Sequence, residues 1–128
     1  MKPELQKQLF EKYPKIFRQK DLPMSQTCMC WGIETGDGWY QLLDTLCQDI
    51  QTYLEIHTEV NQVEAEQVKE KFGGLRFYYC GGDAVIEDLI AKAEDESQKT
   101  CESCGSKKNV SQTNGWIQTL CDKCRGKK

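Results

Sequence analysis

The sequence contains no stretch of 18 apolar residues and only one histidine. The lack of a long apolar stretch excludes a transmembrane helix. The polar N-terminus, MKPELQKQLF, lacks the apolar segment of a signal peptide. We therefore expect a cytoplasmic protein whose cysteines are reduced thiols or metal ligands, because disulfides are rare in that compartment. At 128 residues the chain fits one modest domain, which excludes a large multi-layer enzyme. Three Trp, five Tyr and four Phe are too many aromatic residues for a disordered tail.

Charge is distributed unevenly along the chain, although the net charge is only −3. Residues 1–30 and 101–128 carry an excess of basic side chains, whereas residues 31–100 carry fifteen acidic and five basic ones. This acidic middle disfavours long-range attraction of the whole molecule to a phosphate backbone. The basic C-terminal tail either contacts nucleic acid or is a solvated, solubilising end. Its basic residues are Lys107, Lys108, Lys123, Arg125, Lys127 and Lys128.

Three helices are predicted from apolar periodicity and capping residues. Apolar residues spaced three and four apart over residues 39–57 predict a long amphipathic helix that begins near Asp37. A shorter helix follows Pro3, which suits the first helical turn. Asp83 predicts the N-cap of a third helix that runs to about Lys99.

Residues 68–80 alternate between polar and apolar types on both sides of Gly73-Gly74. This pattern predicts two short strands joined by a tight turn whose central residues are the two glycines, since both central positions of a type I′ turn need positive φ. Phe72, Leu75 and Phe77 are then expected on the apolar face. Together these elements predict an α+β fold with helices packed on a short antiparallel hairpin.

Two C-x-x-C pairs, Cys101/Cys104 and Cys121/Cys124, are separated by sixteen residues. This spacing is typical of a structural zinc site. Two thiolates three residues apart on a turn can point inward together, and two such turns complete a tetrahedron around the metal. The sequence therefore predicts one zinc ion held by four thiolates. A site of this kind has no open position for water or substrate, so it organises structure rather than catalyses.

We expect two parts, an α+β binding domain over residues 1–99 and a zinc ribbon over residues 100–128 that packs on it. Trp116, Ile117 and Leu120 lie between the two cysteine pairs. They are expected to dock the ribbon on the preceding helix.

Two segments carry more polar and aromatic residues than a linker or a plain strand requires. Residues 31–39 contain two Trp, three Gly and two carboxylates, and they either pack on the core or form a recognition pocket. The hairpin carries basic residues on the face opposite its apolar one. These basic side chains are either solvated or bind an anionic group, which belongs to a nucleotide or to an acidic patch of a partner. The candidate ligand- or partner-binding residues are Trp31, Glu34, Asp37, Trp39, Lys69, Lys71, Arg76 and Tyr78.

A zinc deaminase is an alternative interpretation of the cysteines. His57-Thr-Glu59 precedes Cys101-x-x-Cys104, which is the layout of such enzymes. Thr100 replaces the proline expected before the first cysteine, however, and the second C-x-x-C pair competes for the metal. His57 is therefore interpreted as an ordinary residue at a helix end.

The remaining cysteines suggest no further chemistry. Cys28 and Cys30 with His57 lack a third group that would orient a nucleophile and a base. A second metal site from Cys28, Cys30, Cys47 and Cys80 has poorer spacing than a C-x-x-C pair. We expect these four as buried thiols.

The strings CMCWGIETGDGWYQLLDTLC (28–47), VKEKFGGLRFYYCGG (68–82) and GWIQTLC (115–121) resemble a family of small proteins in bacteriophage, prophage and bacterial genomes. The resemblance covers about residues 10–125, and FGGLRFY is its most specific part. It implies a phage-type accessory protein. Such proteins often bind and neutralise host factors, including components or signalling nucleotides of host immune systems. The resemblance assigns no catalytic residue.

We therefore expect a non-enzymatic accessory protein of phage type that acts in the host cytoplasm. It is expected to capture a host protein or a small anionic, nucleotide-like ligand, and to counter host defence by doing so. One alternative is a nucleic-acid-binding regulator that acts through the zinc ribbon and its basic C-terminus. The other alternative is a zinc deaminase-like enzyme.

Overall fold

The computed structural model describes residues 1–126; Lys127 and Lys128, which belong to the predicted basic tail, lie outside the described residues. Within residues 1–126, three α-helices, a three-stranded sheet and a two-stranded sheet confirm the predicted α+β fold. The elements are α1 (Pro3–Lys12), β1 (Ile33–Glu34), α2 (Tyr40–Ile56), β2 (Glu64–Lys71), β3 (Gly74–Cys80), α3 (Ala84–Ser97), β4 (Val110–Gln112) and β5 (Thr119–Cys121). None of the helices in this part of the chain combines the length and apolar character needed to cross a membrane.

The long amphipathic helix is confirmed as α2. Its inward stripe, which includes Leu43, Ile50 and Leu54, is buried and packs beside α3. Its start differs from the prediction, because the chain enters α2 through a single 3-10 turn over Asp37–Trp39. Asp37 does not cap the helix; its Oδ1 accepts a hydrogen bond from the backbone N–H of Lys2 at 2.7 Å.

Helix α3 begins as predicted. The Asp83 carboxylate accepts hydrogen bonds from the backbone N–H groups of Val85 and Ile86, at 3.1 and 3.2 Å. These bonds occupy two of the amide groups that every helix start leaves without a partner. Ile86 and Ile90 are buried on the face that packs against β3 and α2.

The main sheet is mixed, with strand order β1-β2-β3. Strand β1 runs parallel to β2, and β3 pairs with β2 in antiparallel register. Val68 and Phe77 form a buried pair across β2 and β3, and the next pair along, Lys69 and Arg76, points to the opposite face. Apolar side chains therefore meet the helices on one face, and basic side chains lie on the other.

The turn of the hairpin is displaced by one residue from the predicted one. Lys71 pairs with Gly74, so the two central residues are Phe72 and Gly73. Both have positive φ, 53° and 81°, as a type I′ turn requires. The prediction that Phe72 packs on the apolar face is wrong, because the tip of the turn projects beyond the core and leaves the ring 68% exposed.

The outer edge of β3 is covered by side chains of α3. The backbone N–H of Leu75 donates to Ser97 Oγ at 2.9 Å, and that of Phe77 donates to Glu94 Oε2 at 3.0 Å. Exposed strand edges invite pairing with other chains. Because these two amides already have partners, this edge is protected against such pairing.

The ribbon contains the antiparallel pair β4 and β5 and docks through a close backbone contact. The N–H of Gly38 donates to the carbonyl of Glu102 at 2.7 Å, and the N–H of Gly36 donates to the Glu102 carboxylate at 2.8 Å. A Cβ at Gly38 would lie 2.2 Å from the carbonyl oxygen of Cys101. The glycines of this segment therefore allow the backbone to approach the ribbon.

Two tryptophans at this junction do not have the binding and docking roles considered for them. Trp39, predicted as a binding residue, is fully buried and donates its Nε1–H to the carbonyl of Thr100 at 2.9 Å. Trp116, expected to dock the ribbon, is 82% exposed. Docking instead uses Thr119, whose hydroxyl donates to the carbonyl of Gly73. Within the ribbon, the carbonyl of Thr119 accepts the N–H of Glu102.

We predict that Gly38→Ala destabilises the protein by roughly 1–3 kcal/mol, because its methyl group must displace backbone atoms at the start of the ribbon. Gly74→Ala is the matched control: the nearest atom to its Cβ is the flexible Gln98 Nε2 at 3.3 Å, so its free energy of unfolding should change by less than about 1 kcal/mol. Urea denaturation followed by circular dichroism measures both. Equal stability of the two variants would contradict the proposed role of Gly38.

Candidate metal centre and binding surface

The four ribbon cysteines converge on one point. The first pair follows α3 in the chain, and the second pair begins at the last residue of β5. The sulfur atoms of Cys101, Cys104, Cys121 and Cys124 all lie within 4.8 Å of one another. Cys104 Sγ and Cys121 Sγ are 3.7 Å apart. This cluster can hold a metal ion.

Local backbone hydrogen bonds shape both cysteine turns in the same way. The N–H of Gly105 donates to the carbonyl of Cys101 at 2.9 Å, and the N–H of Arg125 donates to the carbonyl of Cys121 at 3.0 Å. In the second turn the N–H of Cys124 also points at Cys121 Sγ, at 3.4 Å. The first turn ends on Gly105 with φ 83°, a left-handed conformation that glycine adopts without strain.

The surroundings of the sulfurs favour a thiolate at one end of the cluster. Burial is the largest influence on the Cys101 thiol and opposes ionisation. Backbone hydrogen bonds from Cys121, Cys104 and Ser103 outweigh it and lower the pKa of Cys101 to about 6. Hydrogen bonds with Cys104 and Cys121 raise the pKa of Cys124 to about 12. A cation among these sulfurs would favour the deprotonated form of all four.

The other cysteines do not assemble a second site. In the part of the chain that the structure describes, the ribbon cluster is the one group of His, Cys, Asp or Glu residues with metal-binding geometry. Cys47 is buried as predicted, and burial raises the pKa of its thiol. The prediction of buried thiols is wrong for Cys28 and Cys80, which are exposed, and Cys30 is half-buried.

His57 lies at the end of α2 and takes no part in the cysteine cluster. Its ring stacks on Tyr53 with centroids 4.3 Å apart, and its Nδ1 is 3.6 Å from a carboxylate oxygen of Glu59. Tyr53 in turn donates to the Asp83 carboxylate at 2.6 Å. The histidine therefore belongs to a polar group at the helix end, as the sequence indicates, and not to a deaminase-like ligand set.

Four of the candidate binding residues share the face of the sheet that points away from the helices. The register aligns Glu34, Lys69 and Arg76 in one row across β1, β2 and β3. Tyr78, one pleat further along β3, is 44% exposed on the same face. We call this set, Glu34, Lys69, Arg76 and Tyr78, the outer sheet face. Among residues 1–126, neither Lys69 nor Arg76 has an ion-pair partner.

The other candidates lie elsewhere. Trp31 is exposed but lines a separate shallow cavity with Gln6 and Phe10 of the first helix. Asp37 is half-buried and bound to the backbone of Lys2. Trp39 is in the core, so the prediction that it contacts a partner is wrong. The glycine-rich segment is thus mainly a packing element, the first of the two interpretations offered by its composition.

Lys71 lies beside residues that sequence reasoning did not select. A cleft of about 230 Å³ separates the hairpin tip from the β4–β5 loop. Its aromatic and apolar walls are Phe72, Trp116 and Ile117, and Lys69 and Lys71 line it as well. The sequence contains no signal for Phe72, because Gly73-Gly74 already satisfies the expected turn. Only the strand register places Phe72 in the type I′ turn, where Asn or Gly is preferred. Nothing in the local pattern predicted that the two loops meet.

Comparison with models of protein families, with curated proteins and with solved structures finds no match to this chain.

We predict that iodoacetamide modifies Cys28 of the folded protein faster than Cys80, and leaves Cys47 intact. Burial and the nearby Glu66 and Glu64 carboxylates raise the pKa of Cys80, while Cys47 is fully enclosed. Peptide mass spectrometry after timed quenching measures the three rates. Unfolding in urea is the control, since it should make Cys47 reactive. Modification of Cys47 at the rate of Cys28 without denaturant would contradict this arrangement.

Proposed function

We propose that this chain is a non-enzymatic accessory protein of phage type, stabilised by one structural zinc ion, that captures an anionic host factor in the host cytoplasm. The captured factor is a host protein with an acidic surface or a small nucleotide-like ligand. The observation that carries this proposal is the pair of unpartnered cations, Lys69 and Arg76, side by side on the outer sheet face. The phage context rests on the sequence resemblance.

Zinc suits the ribbon cluster by ligand type and by spacing. A tetrahedral site with Zn–S bonds of about 2.3 Å requires sulfurs about 3.8 Å apart. The separation of 3.7 Å between Cys104 Sγ and Cys121 Sγ is close to this value. Four sulfur ligands fill every coordination position, so no place remains for a reacting water. This supports a structural ion and a protein without metal-dependent catalysis.

We predict that the purified chain contains about one zinc ion per molecule, and that Cys121→Ser removes it because three thiolates leave the tetrahedron incomplete. Cys28→Ser is the matched control, since Cys28 lies outside the cluster. Elemental analysis gives the metal content, and thermal unfolding should show a lower midpoint for Cys121→Ser and for wild type treated with a chelator. Full zinc content in Cys121→Ser would refute the assignment.

The outer sheet face is suited to an anionic partner. Lys69 and Arg76 are half-buried, and their two positive charges exceed the single negative charge of Glu34 in the same row. A planar guanidinium recognises carboxylates and phosphates in bidentate geometry. Tyr78 adds an exposed aromatic ring with a hydroxyl group next to them. Arg and Tyr are enriched among the residues that contribute most to binding at protein interfaces.

The alternative, nucleic-acid binding by the basic C-terminus, has less support. Lys107 Nζ lies 3.5 Å from the Glu96 carboxylate. The Arg125 guanidinium donates to the carbonyl and hydroxyl of Ser111, at 2.8 and 2.6 Å. Two cations of that tail therefore already have partners within the molecule.

We predict that reversing the two charges in a Lys69→Glu/Arg76→Glu variant abolishes capture of the partner from host lysate. The matched control is Lys92→Glu/Lys99→Glu, which makes the same charge change at exposed positions on and just beyond α3. Affinity purification with quantitative mass spectrometry compares the two, and circular dichroism checks that both are folded. Capture that survives in the first variant, or is lost equally in both, would move the site away from the outer sheet face.

A further inference from the structure

Two large aromatic side chains are exposed to solvent at the cleft between the hairpin tip and the ribbon loop. Trp116 is 82% exposed and Phe72 is 68% exposed, and both line the cleft, which has a volume of about 230 Å³. Ile117 lies on the same wall. Large apolar side chains that cluster at a surface mark binding sites more often than scattered ones do. We call this space the aromatic cleft; it is lined by Lys69, Glu70, Lys71, Phe72, Gly115, Trp116 and Ile117.

Both walls of the aromatic cleft are held in place by hydrogen bonds. On the hairpin side, the N–H of Gly73 donates to the Glu70 carboxylate at 2.8 Å. On the ribbon side, the Thr113 hydroxyl donates to the carbonyl of Trp116 at 2.7 Å. The hydroxyl of Thr119 donates to the Gly73 carbonyl and joins the two walls. The rings are thus exposed on ordered backbone, which reduces the entropy lost when a ligand binds.

Phe72 occupies a backbone conformation that disfavours it. Its φ of 53° lies in the left-handed region, where residues other than Gly, Asn and Asp are strained. Asn-Gly is the preferred pair for this turn, so an asparagine at position 72 would suit the backbone better. A bulky ring that is both strained and exposed contributes little to the fold. Strain of this kind is typical of functional positions.

Two lysines and one carboxylate, Glu70, line the aromatic cleft, and this excess of positive charge favours an anionic ligand with a flat ring. Lys71 Nζ lies 5.7 Å from the centroid of the Phe72 ring, and Lys69 lines the same cleft. Within residues 1–126 neither lysine has an ion-pair partner, whereas the Glu70 carboxylate is engaged by the turn. An acidic peptide without aromatic or apolar side chains would pair with the lysines and leave the aromatic faces unused. A base with an attached phosphate uses both.

We propose that the aromatic cleft binds a nucleotide unit, with the base stacked on Trp116 and Phe72 and the phosphate held by Lys69 and Lys71. This rests on the proposed function and names the ligand class. The cleft is smaller than the roughly 300–1,000 Å³ of pockets that enclose whole ligands, so it takes the base and leaves the sugar and phosphate at the rim. The unit comes either from a free nucleotide or from a single strand.

The test measures anisotropy of a labelled oligothymidylate of about ten residues in low-salt buffer, with thymidine and adenosine monophosphates as unlabelled competitors. We expect binding by wild type and at least about fivefold weaker binding by Trp116→Ala and by Phe72→Asn, since stacking accounts for about 1–3 kcal/mol per base. Met24→Ala, a truncation of an apolar side chain that is 71% exposed and lies outside the aromatic cleft, is the matched control and should bind as wild type.

Phe72→Asn separates a binding role from a structural one. If Phe72 serves the ligand, this variant loses affinity while its urea midpoint stays the same or rises, because asparagine relieves the strained turn. Lower stability together with unchanged affinity would overturn the proposal. Equal affinity of wild type and Trp116→Ala would also overturn the proposal. So would a wild-type protein that binds neither the oligonucleotide nor the monophosphates.

The two sources of the nucleotide give different results. If the monophosphates displace the labelled oligonucleotide as effectively as the unlabelled oligonucleotide does, the ligand is a free nucleotide. Binding of the oligonucleotide alone, with log affinity falling against log salt at a slope of about −2 for three cations including Arg76, supports a single strand. Capture of a host factor that is lost with the outer sheet face variant but kept in Trp116→Ala and Phe72→Asn would overturn the nucleotide proposal and leave the proposed function standing.

Discussion

The backbone contact between residues 36–38 and the start of the ribbon is the constraint on which the other features depend. Gly38 donates to the carbonyl of Glu102 at 2.7 Å, and no side chain fits between the two segments. Trp39 adds its indole hydrogen bond to the residue just before the first cysteine. Because main-chain atoms make most of this contact, it sets the position of the first cysteine pair relative to α2. The second pair then reaches the first through β5, whose Thr119 carbonyl accepts the N–H of Glu102.

The same strand connects the cysteine cluster with the aromatic cleft. Thr119 precedes Cys121 by two residues and hydrogen-bonds to Gly73 at the hairpin tip. In the function we propose, zinc stabilises the ribbon without touching the ligand. The ribbon fixes the position of β5, and β5 positions the loop that carries Trp116 beside the hairpin. Loss of the metal would therefore disturb recognition without any ligand touching the ion.

Phe72, in the aromatic cleft that we propose as a binding site, occupies a position that local backbone preference disfavours. A type I′ turn favours small residues with a left-handed conformation, and a phenylalanine at φ 53° opposes that preference. The rest of the hairpin tolerates it, because the Glu70 carboxylate and the Thr119 hydroxyl fasten the adjacent glycine. A conflict between local preference and observed structure at an exposed aromatic residue is what a functional position is expected to show.

The sequence alone was sufficient for features that depend on short-range patterns: the stripe of α2, the Asp83 cap, the α+β class and the pairing of four cysteines by spacing. Each follows from residues near one another in the chain. The remaining features depend on contacts between residues that are distant in the chain, so only the tertiary structure determined them. It buried Trp39, exposed Trp116, moved the turn to Phe72-Gly73 and aligned Glu34 with Lys69 and Arg76. A tryptophan contributes the same apolar signal to a sequence pattern whether it is covered or not, and only the path of the ribbon over the core determines which one remains in water.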